Sequence, residues 1–352
     1  MEDRLLISEV FRFPCPKYYW QLNFFNPRVY CFNWQKKKIE KKLKIPRAYF
    51  DSEEYGFLRL SYHYSGARGI AANDRYIFLA LQNAILVYDI KFQRQVGRID
   101  HRLFNGIHEI SWHKDRLYVA CAVTDCVLTV SETGEELGLF YLGNNSYFLE
   151  AFRLPSRELD NRLDYRIMHR VQRLYHINNV QVMNGNIYVN LNRQGSFVKI
   201  YPREEILIQD KNLVQSHNGQ FSPDGRYILI NDTGNYALRV YDALGKPFKT
   251  IDFRKFPLPV DFTEKKVFGQ GHDIKAGWLR GMAFSNHDKE IVYVGLSPAM
   301  VVAVNYIQGE FIDYFQFRKN IWISVHGLHN LSLNNIPGKN DRVTTEIDEE
   351  NR

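Results

Sequence analysis

The chain has 352 residues, 45% of them hydrophobic, and a net charge of +7, enough to bury a large core. It contains no apolar run of 18 or more residues, and Met1-Glu-Asp-Arg-Leu-Leu-Ile-Ser-Glu lacks a basic stretch followed by an apolar one, so neither a membrane span nor a secretory leader is expected. Cys15, Cys31, Cys121 and Cys126 lack the spacing of a metal knuckle or a disulfide framework, and a reducing, cytoplasmic setting is expected.

Segments 18–23, 28–34 and 38–45 read as strands. Lys36, Lys37, Lys38, Lys41, Lys42 and Lys44 fall in or beside the last of them. A lysine run without interleaved Arg or aromatics recognises nucleic acid poorly, whereas charge on an outer strand blocks edge-to-edge pairing. The second role is expected, and no nucleic-acid or membrane partner is expected.

From residue 58 onwards one pattern recurs. A polar residue is followed by an apolar strand, a turn-forming pair and a second strand. The copies begin Arg68-Gly-Ile-Ala, His108-Glu-Ile-Ser, Asn178-Asn-Val-Gln, His217-Asn-Gly-Gln-Phe and Arg280-Gly-Met-Ala-Phe. Strand–hairpin units at this spacing predict an all-β fold, a β-propeller. Its blades are expected near 58–99, 106–142, 176–208, 216–253 and 278–317.

Beyond 317 only segment 324–333 reads as an inner strand. A sixth blade is therefore predicted to combine 324–333 with the N-terminal segments within 18–45, closing the ring in one domain spanning 1–335. Closure of this kind leaves no open sheet edge. Residues 336–352 form a polar tail. Connections 144–175 and 254–276 exceed plain turns and are expected to act as lids over a channel mouth.

Four ordered motifs resemble an uncharacterised bacterial family of WD40-like propeller proteins with a domain of unknown function. They are Gly106-Ile-His-Glu-Ile-Ser-Trp112, Tyr175-His-Ile-Asn-Asn-Val-Gln-Val182, Gln215-Ser-His-Asn-Gly-Gln-Phe221, and Gly277-Trp-Leu-Arg-Gly-Met-Ala-Phe284 followed by Val292-Tyr-Val-Gly-Leu-Ser297. The resemblance implies a propeller and no particular reaction.

The polar residue opening each inner strand is expected to face a central channel. Aligned by the apolar residues that follow, these positions are Arg68, His108, Asn178, His217, Arg280 and His329, with His176 and His326 as alternates. A water-filled axis needs only small polar residues, so histidines and arginines arriving from separate blades point to a site. Two chemistries are open. His108, His217 and His329 (or His326) could hold Zn²⁺ or Fe²⁺ with a position left for substrate. Alternatively, Arg68 and Arg280, with Asn178 and His176, could bind an anionic small molecule or an anionic peptide group beside catalytic His108, His217 and His329. The layout is similar to that of six-bladed arylsulfate sulfotransferases, without a matching run of sequence. Glu109 follows His108 and is expected to face away, because successive strand residues alternate. The competing possibility is an interaction scaffold with a structural polar axis.

Overall fold

A computed structural model describes residues 2–12, 27–45, 64–160, 162–167, 173–268 and 272–331. Six four-stranded antiparallel sheets form a ring, a six-bladed β-propeller. The inner strands are Gly69–Ala72, Ile107–His113, Ile177–Met183, Ser216–Phe221, Leu279–Phe284 and Ile323–Leu331. They touch one another in that cyclic order, the last meeting the first. Among the described residues no helix is long and apolar enough to cross a membrane.

Alternation along each strand builds the interfaces between blades. In the blade starting at Gly69, Phe78 and Ala80 enter the cluster shared with the next blade, while Ile77 and Leu79 enter the one shared with the closing blade. The same division recurs at every junction, giving one buried cluster per blade interface. Strands buried on both faces need apolar residues at nearly every position, as in Ile85, Leu86, Val87 and Tyr88.

Amides stitch neighbouring inner strands together near the axis, where apolar packing ends. Asn178 donates to the Ser216 carbonyl at 2.5 Å, Asn179 to that of Gly219, and Gln220 to that of Met282 at 3.2 Å. Asn330 donates to the Phe284 carbonyl at 2.9 Å.

Both ends of the chain close the ring, with one change from expectation. The strand beside Ile323–Leu331 is Arg4–Arg12, followed outward by Arg28–Asn33 and Lys38–Lys44. The predicted strand at 18–23 and the tail 336–352 lie outside the described residues. The lysine-bearing strand is the exposed outer edge of this blade, as expected from charge.

Asp3 locks the closure. Its buried carboxylate accepts hydrogen bonds from Ser285 Oγ and Tyr293 OH at 2.6 Å each, Asn330 Nδ2 at 2.7 Å and Asn286 N at 2.9 Å. Burial pushes its pKa up, but these bonds outweigh burial and hold it below the usual range. Asp3→Ala would orphan several buried donors, and a loss of about 4 kcal/mol is expected from urea unfolding at pH 7. A loss under about 1 kcal/mol would mean that strand pairing alone closes the ring.

Candidate functional site

The sequence folds the inner strands with a repeated irregularity, and it falls on the predicted ring. Facing residues skip His108, Asn178 and His326, one in each strand, and two residues oppose one at Asn218-Gly219 and at Arg280-Gly281. A β-bulge re-aims side chains and interrupts alternation. Five inner strands therefore carry a bulge at the same height.

The chain enters these strands through left-handed turns. Gly106 and Gly277 have φ of 67° and 75°, a region open to glycine. His176 and Gln215 take 56° and 53° at comparable points, where a side chain is disfavoured. His176 thus brings an imidazole to the axis from a turn that glycine would satisfy.

His108 is the hub. Its ring centroid lies 5.0 Å from that of His176, 5.7 Å from His217 and 5.6 Å from His326. Arg68, His217, Arg280 and His326 are 5–7% exposed. The His217 Nδ1 is 2.7 Å from the Gln215 carbonyl and 3.1 Å from Arg280 Nη1. Thr233 Oγ1 accepts from Arg280 Nη1 at 2.9 Å and donates to the Leu279 carbonyl at 2.8 Å. The Arg280 guanidinium lies 5.0 Å from the Trp278 ring. His326 Nδ1 is 3.3 Å from the Arg68 carbonyl, and His176 Nδ1 is 3.5 Å from Arg173 Nη1. His108 Nδ1 is buried with no hydrogen-bond partner.

The charged neighbours of these imidazoles are arginines. Burial holds His108 well below the usual imidazole range, followed by the positive influence of His176, Arg68, His326 and His217. His217 is pushed well down by burial and then by Arg280. His176 falls to about 3 through burial and then Arg173, Arg193, Arg68 and Arg280. Neutral imidazoles therefore sit among guanidiniums.

His329 does not join them. Three residues beyond His326, it lines a cavity of about 310 Å³ on the axis, and burial alone lowers it to about 4. Both histidines fit the repeat, since Leu328 follows His326 and Leu331 follows His329 at the same spacing of two. Of the two alternates, His326 is the one beside His108. The Asn178 amide, expected in the ring, is committed to the Ser216 carbonyl and to Asn190.

Glu109, expected to face away, turns to the axis because of the bulge beside it. It lines the same cavity. Its Oε1 accepts from Ile70 N and Ile110 N at 3.2 Å each, and its Oε2 accepts from Asn218 Nδ2 at 2.9 Å. The last bond reaches from the second blade to the fourth. Gly69 makes room for this carboxyl, since a Cβ there would stand 2.6 Å from Glu109 Oε1. Gly327 likewise lets its strand pass the Arg68 carbonyl. The residues after the six ring positions are Gly69, Glu109, Asn179, Asn218, Gly281 and Gly327, so a carboxylate stands where three other blades place glycine. Burial pushes Glu109 up to about 8, against its three hydrogen bonds.

Among the described residues no group of three or more His, Cys, Asp or Glu is arranged to hold a metal. Arg68 and Arg280 would also repel a dication. Of the predicted set, His108 and His217 stand beside the alternate His326, while His329 lies on the cavity wall.

No protein-family model and no curated protein matches the chain. Solved structures do. A protein of unknown function from Bacteroides caccae is similar at 10% identity and a TM-score of 0.59, covering 94% of this chain and 99% of that one. A chain of a nidogen/laminin complex is similar at 11% identity and a TM-score of 0.55, covering 93% and 98%. At such identities the likeness establishes the propeller fold. It is consistent with an uncharacterised propeller family, as the motifs suggested.

Proposed function

We propose that the axial tier binds the anionic group of a small molecule or peptide. The observation that carries this reading is His108 Nδ1, buried without a partner at the centre of three other imidazoles and beside Arg68 and Arg280. An orphaned buried polar atom costs about 1–3 kcal/mol, a cost that a bound ligand would relieve. An oxyanion supplies the missing acceptor and the negative charge that this surround favours. Guanidiniums offer it a planar fork. Protonation of an imidazole on binding would supply a further charged donor, and a histidine next to a bound oxyanion can serve as acid or base.

A second reading has its own support. The 5–7% exposure of the ring residues suits a rigid axis in a scaffold whose outer faces meet a protein partner. Sulfate distinguishes the two. Thermal unfolding in sodium sulfate, against sodium chloride of equal ionic strength, is expected to rise several degrees more for the native protein than for Arg280→Lys. Any general salting effect of sulfate is common to both proteins. Equal shifts would leave the scaffold reading standing. Elemental analysis of the purified protein is expected to find no stoichiometric zinc or iron, which would separate the anion reading from the metal-centred one.

A further inference from the structure

The axial cavity beyond the imidazoles has the opposite chemistry. Each of its side-chain amides already gives an N–H to the fold. Those of Asn330 go to Asp3 Oδ1 at 2.7 Å and to the Phe284 carbonyl at 2.9 Å, leaving its Oδ1 buried and without a partner. Asn286 donates to the Leu331 carbonyl at 2.9 Å, and Asn218 to Glu109. Asn179 and Gln220 donate to backbone carbonyls of the next blade. A carbonyl partner fixes which end of each amide faces it, and Asn330, with both N–H groups engaged, retains only its oxygen for a guest. Trp112 and Phe284 add aromatic walls.

We propose that this cavity binds a primary ammonium group, with Glu109 as its anionic partner. About 310 Å³ holds a small amine or the amine end of a larger molecule. The ammonium would donate to the Glu109 carboxylate and to amide oxygens such as Asn330 Oδ1. The inference stands apart from the anion reading, because it uses other residues and another charge.

The proton balance follows from the empty cavity. Glu109 is protonated at neutral pH, with a pKa of about 8. An arriving ammonium keeps its three protons, Glu109 loses its one to solvent, and an ion pair forms. The titratable or charged groups around it are His108 on its own strand, Arg68 beside Gly69, His217 beside Asn218, and His329 on the cavity wall. His108, His217 and His329 have lowered pKa values and Arg68 stays charged, so Glu109 alone changes state between pH 6 and 8. Affinity should therefore rise about tenfold per pH unit between pH 6 and 7.5.

n-Butylammonium chloride is the probe, and n-butanol its uncharged counterpart. Calorimetry or chemical-shift titration is expected to show saturable binding of the amine only, tighter at pH 7.5 than at pH 6 by at least tenfold, with release of one proton. Glu109→Gln should remove both the binding and the proton release while leaving the sulfate response intact. Equal binding of butanol, amine binding independent of pH, or a Glu109→Gln protein that binds the amine as before would each overturn the proposal. The first two are read on the unaltered protein, so they hold even if the variant folds poorly.

Discussion

Glu109→Gln is expected to make the protein more stable at pH 8, by about 4 kcal/mol. Glu109 has a folded pKa of about 8 against 4.5 as the ordinary value. Its raised pKa means that the folded chain holds a proton which the unfolded chain gives up. The contribution is fully favourable below pH 4.5 and is lost as pH rises to 8, at about 1.4 kcal/mol per unit. A glutamine removes that loss and keeps the network. Its Oε1 accepts from Ile70 N and Ile110 N, and its amide donates to Asn218 turned end for end. The gain should shrink to near zero at pH 4.5. Urea unfolding at both pH values checks this, and a variant less stable than the native protein at pH 8 would refute a neutral, buried Glu109. A residue whose replacement stabilises the fold is one retained for another reason.

Acid should act in the other direction, through the imidazoles. His108, His176, His217 and His329 all have lowered pKa values in the fold, so the unfolded chain binds more protons below about pH 6.5. Stability contributed by their neutral forms is present above that pH and declines as pH falls towards the folded pKa values. At pH 5 each contributes a loss of about 2 kcal/mol relative to neutral pH, about 8 kcal/mol for the four. Replacing His217 by Gln should remove about a quarter of that loss. Stability profiles of the two proteins between pH 7 and 5 test this, and parallel profiles would mean that His217 is already solvated or charged.

The ring was legible because each blade repeats locally: a polar residue, an apolar strand and a turn stand within a few residues of one another, as in His217 to Tyr227. Arg4–Arg12 was not, because its partner Ile323–Leu331 lies at the far end of the chain and no hairpin marks the pairing. Arg68, His108, His217 and Arg280 were placed by that local pattern. Glu109 was misjudged because of the bulge. Facing directions follow a period of two only while the ladder is regular. The extra residue at His108 turned Glu109 inward, whereas His326 and His329 both fit the local repeat and only the strand pairing separates them. The sequence did hold a signal for Glu109, in the glycines that occupy its position in three other blades.

The most direct measurement of the anion site is calorimetric titration with sulfate at pH 6.5 in two buffers of different ionisation enthalpy. Binding next to neutral imidazoles raises their pKa, so sulfate should bind saturably with uptake of a proton, and its affinity should increase as pH falls from 8 to 6. Saturable heat that differs between the buffers in the sense of proton uptake is the expected result. Absence of saturable binding, or binding without proton uptake at any pH in that range, would contradict an anion site at His108, His176, His217 and His326.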